Sequence, residues 1–282
     1  MIKRGGRVYS RVYVEITNIC NMNCSFCHGT KRPPKSMTYQ EFEVILQKLK
    51  PHTNYIYYHL MGEPLLHPDL EKFIRLATEM GFKSVITTNG TLLKEKGHIL
   101  IEQEIHKVSI SLHSFEGESQ SLHKKYLSEV AEFAKSANEK GIIVVFRLWN
   151  NGYDGGKNAL AIEFLKNTIE GEWTPNSKGL RIRDRLFLEY GERFGWPDKD
   201  AEIQGESVFC YGLRDHFGIL SDGTVVPCCL DSDGSINLGN IFSQNIEEIL
   251  NSERANAIVK GFDGRKAAED LCRRCAYAQR FK

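Results

Sequence analysis

The chain has 282 residues, with 37 lysines and arginines against 36 aspartates and glutamates, a formal net charge of +1, which excludes the strongly basic balance of an extended nucleic-acid binder. Hydrophobic residues make up 41% and charged residues 26%, the proportions of an ordinary globular chain that buries a core without needing metals or disulfides to fold. No uncharged apolar run approaches the roughly 20 residues that span a bilayer, and Met1-Ile2-Lys3-Arg4-Gly5-Gly6-Arg7 runs into a strand-like segment without the apolar stretch of a signal peptide, so a soluble, cytoplasmic protein with no membrane partner is expected.

The first strand-like run, 12–16, is followed at once by Cys20-Asn21-Met22-Asn23-Cys24-Ser25-Phe26-Cys27. A helix comes next. Thr38-Tyr39-Gln40-Glu41 offers a capping box, and Phe42, Ile45, Leu46 and Leu49 fall on one helical face. A second strand, 55–60, leads into Met61-Gly62-Glu63-Pro64. Leu70, Phe73, Ile74 and Ala77 then repeat the helical spacing ahead of a stop at Gly81. Strand 84–88 ends in Asn89-Gly90-Thr91, and strand 108–112 ends at His113. Val130, Phe133, Ala134 and Ala137 mark a helix before Gly141, and strands 142–148 and 186–188 complete a set of six. Such alternation predicts an α/β fold with a parallel sheet, curved or open, whose chemistry gathers at the C-terminal strand ends. The pattern fades through Arg193-Phe194-Gly195-Trp196-Pro197-Asp198. We therefore divide the chain into 1–200 and a smaller α+β module, 201–282. There 217–220 and 224–227 flank a hairpin turn at Ser221-Asp222-Gly223, and a helix surrounds Ile246, Ile249 and Leu250.

Eight cysteines in a chain of this size without a leader point to metal or cluster ligation rather than a disulfide framework. Cys20, Cys24 and Cys27 share one tight loop, and three thiolates there suit three irons of a 4Fe-4S cubane with the fourth left open. Zinc with His28 as fourth ligand is the alternative. Cys210, Cys228, Cys272 and Cys275 are separated by 18, 44 and 3 positions, a pattern that suits either a four-thiolate cluster or structural zinc.

The CxxxCxΦC motif made by Cys20, Cys24, Phe26 and Cys27, placed after the first strand, resembles that of the radical SAM superfamily. The resemblance implies a partial (β/α)6 barrel and a cluster whose open iron is chelated by the amino and carboxylate groups of S-adenosylmethionine. It further implies reductive cleavage to a 5′-deoxyadenosyl radical that takes hydrogen from a substrate, with a reducing partner such as flavodoxin or ferredoxin. Phe26 would lie against adenine. Gly62, Glu63 and Pro64 stand where the family carries its GGEP motif, Met61 replacing the first glycine, and Glu63 would sit close to the methionine ammonium. By the same resemblance Asn89 shapes its loop, Ser111 contacts the ribose, and Arg147 and Asn150 meet the methionine carboxylate. The stretch from Gly223 to Cys229, with Leu238-Gly239-Asn240-Ile241 and Cys272-Arg273-Arg274-Cys275, resembles the twitch domain, the short relative of SPASM domains. That implies an auxiliary 4Fe-4S cluster on Cys210, Cys228, Cys272 and Cys275, with Cys229 either a spare thiol or the ligand in place of Cys228.

Little chain is left beyond the two modules, which favours a small polar substrate over a long peptide. His113 and Trp149 at strand ends, and Asp184 and Glu189 as acceptors for ring N–H groups, are the candidate substrate contacts. The compact arrangement looks like aminocyclitol dehydrogenases and like queuine lyases, which cut a 7-deazaguanine base back to its aminomethyl precursor. The lyase is the first reading; the dehydrogenase and a peptide-modifying maturase follow. An iron-sulfur electron carrier and a zinc-stabilised binding module are the non-catalytic alternatives.

Overall fold

The computed structural model describes residues 8–115 and 119–281; residues 1–7, on which the expectation about a leader rests, lie outside them. In chain order, β1 (Arg11–Val14) passes through the cysteine loop to α1 (Tyr39–Leu49), and β2 (Tyr55–Tyr57), α2 (Leu70–Glu79), β3 (Lys83–Thr88), α3 (Leu93–Glu102), β4 (Lys107–Ser111), α4 (Gln120–Glu139), β5 (Ile143–Asn151) and α5 (Lys157–Thr168) follow. The hairpin of β6 (Thr174–Asn176) and β7 (Gly179–Arg183) precedes β8 (Leu186–Glu192). The six strand-like runs of the sequence become β1, β2, β3, β4, β5 and β8, each parallel to its neighbour. Sequence pattern missed the hairpin: Thr174-Pro175-Asn176 is exposed and β7 is short and basic, so neither carries the apolar run of a buried strand.

Period-two alternation sorts the strand residues between two environments. Val12, Val14, Val108, Ile110, Val144, Phe146, Leu186 and Leu188 are buried in the main apolar core with the helices. The intervening side chains turn to the opposite face, where Ser111, Arg147 and Glu189 form one in-register row across β4, β5 and β8. The helices present the faces their spacing dictates. In α1 the Thr38 hydroxyl accepts from the Glu41 amide at 3.2 Å while the Glu41 carboxylate accepts from the Thr38 amide at 2.7 Å, and Phe42, Ile45, Leu46 and Leu49 are fully buried.

The remaining elements are β9 (His216–Ile219), β10 (Thr224–Val226), β11 (Gly239–Asn240), α6 (Ile246–Leu250), α7 (Glu253–Asp263) and α8 (Asp270–Arg273). β9 pairs parallel with β1, and β10 folds back on it as the sequence turn signal anticipates. One sheet therefore runs β11-β10-β9-β1-β2-β3-β4-β5-β8-β7-β6. The C-terminal strands extend the first edge of the barrel and bring the late cysteines beside its mouth. No helix among the described residues is long and apolar enough to cross a membrane.

Candidate active site

The loop after β1 carries Cys20, Cys24 and Cys27, all free, the first and last exposed. Burial pushes the Cys24 thiol up to about 11, and its neighbours Cys27 and Cys20 push in the same direction, so the three sulfurs share one small space. The loop is fixed at both ends. Asn18 donates to the Pro33 carbonyl at 2.9 Å and accepts from the Lys35 amide at 2.8 Å; Cys27 N–H donates to the Cys24 carbonyl at 3.0 Å. His28 turns elsewhere: its Nε2 lies 3.4 Å from an Asp198 oxygen and its ring stacks on Trp196. Among the described residues, no three His, Cys, Asp or Glu side chains converge on one metal ion. The zinc alternative needs His28 beside the thiols, and three thiolates on one loop are the donor set of a 4Fe-4S cluster with one iron left open.

Gly62 has φ +79°, and a Cβ there would stand 2.3 Å from the Thr17 carbonyl oxygen. Only glycine lets the end of β2 lie against the backbone that enters the cysteine loop. Pro64 opens a short turn, Pro64–Leu66. The buried Glu63 carboxylate accepts from the Leu65 amide at 3.0 Å, the Thr88 hydroxyl at 2.8 Å and the Asn89 amide at 2.7 Å. Burial pushes its pKa up and these three donors oppose that rise. Glu63 thereby ties the end of β2 to the end of β3, where Asn89 reaches Asn21 at 2.9 Å and the Cys20 sulfur at 3.9 Å.

Sequence reasoning missed a second anchor. Glu15 is fully buried, and Arg32 donates to both of its oxygens at 2.7 Å. Glu15 also accepts from the Ser221 amide at 3.1 Å and the Met61 amide at 3.3 Å, while Arg32 Nε donates to the Ser232 carbonyl at 2.8 Å. Thr30 adds a 2.7 Å bond to Asp233. One ion pair thus joins β1, the cysteine loop, the end of β2 and the segment that follows Cys228-Cys229. An acid inside the otherwise apolar run 12–16 was the available signal.

Beside the loop opens a cavity of about 590 Å³ on the inner face of the strands. Phe26, Ser111, His113, Arg147 and Trp149 line it. The His113 ring sits 4.7 Å from Phe26, and burial lowers its pKa to about 4, leaving a neutral imidazole. Gly191 makes room for Trp149: a Cβ there would lie 2.7 Å from the indole. Arg193 and Trp196, in the stretch where the strand-helix pattern fades, also line the cavity; Trp196 Nε1 donates to the Phe26 carbonyl at 3.0 Å and the Arg193 guanidinium stands 5.7 Å over the Phe26 ring.

Asn150, Asp184 and Glu189 are not among the residues that line the cavity. Asn150 alternates to the helix side of β5 and accepts from Asn158 of α5 at 3.0 Å, because its neighbours Arg147 and Trp149 take the inner face. Asp184 lies in the turn from β7 to β8, at the N-terminal end of a strand whose C-terminal end faces the site. Its side chain is 84% exposed and pairs with Arg181 at 3.6 Å. Glu189 does share the inner face, in register with Arg147.

Cys210, Cys228, Cys229, Cys272 and Cys275 also line the cavity. None is in a disulfide. Burial drives the Cys228 thiol well up, and Cys229, Cys210, Cys272 and Cys275 each add to the rise, which places all five sulfurs around one apolar space. That donor set fits a fully ligated cluster. Cys229 is set apart by its contact with the Tyr13 hydroxyl and the nearby Arg11.

Residues 14–151 match the radical SAM superfamily, and residues 210–276 match the SPASM iron-sulfur cluster-binding domain. A probable GTP 3′,8-cyclase of Sulfurisphaera tokodaii is 31% identical over 278 residues, covering 86% of this chain and 88% of the relative. The chain belongs to the radical SAM superfamily. A second probable GTP 3′,8-cyclase, from Methanothermobacter thermautotrophicus, is 24% identical over 86% of this chain and 91% of its own length. Among solved structures, BtrN in complex with AdoMet and 2-DOIA superimposes with a TM-score of 0.62 at 19% identity, covering 96% of this chain and 94% of BtrN. Streptococcus suis SuiB gives 0.63 at 16% identity, covering 95% of this chain and 71% of SuiB. These likenesses carry the fold, a radical SAM barrel with a C-terminal SPASM-like module. The cofactors of this radical SAM enzyme are 4Fe-4S clusters and S-adenosylmethionine.

Proposed function

We propose that Cys20, Cys24 and Cys27 hold the cluster that binds S-adenosylmethionine, and that Cys210, Cys228, Cys272 and Cys275 hold an auxiliary cluster, with 1–200 and 201–282 as the corresponding modules. When loaded, the first cluster and S-adenosylmethionine supply a 5′-deoxyadenosyl radical for hydrogen abstraction, with flavodoxin or ferredoxin as electron donor. Gly62 and Glu63 set the loop and strand ends that receive the methionine moiety. Phe26, backed by His113 and clamped by Trp196, supplies the adenine face, and Ser111 addresses the ribose. Arg193 and Trp196 cover the cavity mouth and limit water beside the reacting centre.

The substrate we propose is a planar 7-deazaguanine-type base, cut at a C–N bond. The observation that carries this reading is Arg147 on the wall of an aromatic-walled cavity of about 590 Å³, with the acceptor Glu189 in register beside it on β8. Such a pair complements a ring carbonyl next to ring N–H groups. Guanosine triphosphate is the second reading, favoured by the two relatives above and sharing the same base edge. Anaerobic reconstitution followed by separate incubation with queuine and with guanosine triphosphate, reading 5′-deoxyadenosine and product masses, tests both. Turnover of queuine to its aminomethyl base supports the first reading; turnover of guanosine triphosphate alone, or of neither, overturns it.

A further inference from the structure

The arm of the cysteine loop that follows Cys27 is fastened to the C-terminal module. Gly29 has φ +68°, and nothing stands within 4 Å of where its Cβ would be. The chain therefore turns there in open space, and hydrogen bonds rather than packing at the turn place residues 30–32. One Asp233 oxygen accepts from the Thr30 hydroxyl at 2.7 Å and from the Lys31 amide at 2.8 Å. The Thr30 oxygen in turn accepts from the Arg32 amide at 3.2 Å, and the Ser232 carbonyl accepts from Arg32 Nε at 2.8 Å. From the barrel side Glu15 holds the same arginine, so residues 30–32 sit between the two modules. The gripping turn lies between β10 and β11 and has its own support. Buried Asp231 accepts from the Ser235 and Ile236 amides, each at 2.8 Å, and no cysteine supplies any of these bonds.

We propose that Asp233 is a positioning residue for S-adenosylmethionine binding, acting from the C-terminal module through Thr30 and Lys31 on the loop that carries Cys20, Cys24 and Cys27. This rests on the assignment of that loop to the S-adenosylmethionine cluster and adds what keeps the loop ready. Thr30 stands three positions after Cys27 and four after Phe26, so its tether fixes the outgoing end of the thiol turn. A loop that is loose before the cofactor arrives must be ordered at the moment of binding, and that cost is subtracted from affinity. A carboxylate accepting two donors on one oxygen is a strong tether, because both bonds are charge-assisted. The C-terminal module thereby contributes to the cofactor site independently of its own thiols, since Asp231 rather than a cysteine shapes the turn that presents Asp233.

The test is anaerobic calorimetric titration of the reconstituted enzyme with S-adenosylmethionine, at matched iron content and with urea midpoints measured alongside. Asp233→Ala is expected to bind S-adenosylmethionine about tenfold more weakly than wild type with its iron unchanged, the usual worth of a hydrogen bond to a charged group. Asp233→Asn keeps an oxygen for both donors and is expected to stay within about threefold of wild type. Thr30→Val weakens binding severalfold, and combined with Asp233→Ala it adds less than its own effect, because the two side chains share one bond. A role in stability alone lowers the urea midpoint of Asp233→Ala and leaves the affinity of the folded enzyme at the wild-type value, which overturns the proposal. Binding by Asp233→Asn as weak as by Asp233→Ala also overturns it. Should Asp233→Ala fail to load the loop cluster, wild-type affinity in Thr30→Val overturns it instead. Binding undiminished in Cys24→Ala, or absent in the wild type, overturns the loop assignment and the proposal with it.

Discussion

The two thiol groups of this chain differ in a way that separates their chemistry. Cys20 and Cys27 are exposed on a loop beside the cavity, and the one candidate fourth ligand the sequence offered, His28, is turned to Asp198. Cys228 instead feels four other thiols around one enclosed apolar space. A three-thiol site leaves a metal position for a small molecule, whereas a four-thiol site is complete and is suited to electron transfer or to holding structure. The loop trio is organised from outside, by Glu63, Asn89 and the Glu15–Arg32 pair, while the late group is organised by burial.

The comparison breaks most severely at Cys24. Cys24→Ala is expected to abolish 5′-deoxyadenosine release while the iron of the late group remains; release at the wild-type rate would refute the assignment of the loop. Cys272→Ala, by contrast, should lower iron by about one cluster and leave the trio able to cleave S-adenosylmethionine, and unchanged iron would point to a different ligand set. Glu15→Gln attacks the link between the two groups. Leaving the partly buried Arg32 without its counter-charge should cost about 2–3 kcal/mol of stability, below the full buried-pair penalty, read as a lowered urea midpoint of the loaded protein. A loss below about 1 kcal/mol would show that the pair does not hold the loops together.

The smallest effect concerns pH. Burial lowers His59 to about 3 and His113 and His216 to about 4, against an ordinary value near 6.5. The unfolded chain therefore binds more protons between those values, and stability rises with pH there. The contribution is complete above about pH 6.5 and is lost as pH falls toward 4, at up to about 1.4 kcal/mol per pH unit for each histidine. Urea midpoints at pH 7 and pH 5 check this, and His113→Gln should flatten the slope.

Much of this was legible in the sequence because each signal was local. The six parallel strands are short apolar runs, the Thr38–Glu41 cap spans four positions, and the cysteine spacing is fixed by one loop. Gly62 was legible only through the motif it shares with Glu63 and Pro64; its approach to the Thr17 backbone was not. The rest depended on pairings between distant segments. Glu15 meets Ser221 only after β9 adds to β1, so the acid in the apolar run 12–16 flags a buried charge without naming its partners. Asp184 and Glu189 are five positions apart and look equivalent as acceptors, yet one falls at the turn and the other on the inner face opposite Arg147. Asn150 misled for the same reason: alternation along β5 sends it to the helix side.

The open-versus-complete distinction is tested most directly by electron paramagnetic resonance of the anaerobically reconstituted, reduced enzyme before and after adding S-adenosylmethionine. The account requires two cluster signals, of which only the one absent from Cys24→Ala shifts. A spectrum in which neither signal moves, or in which the signal lost with Cys272→Ala moves instead, would contradict it.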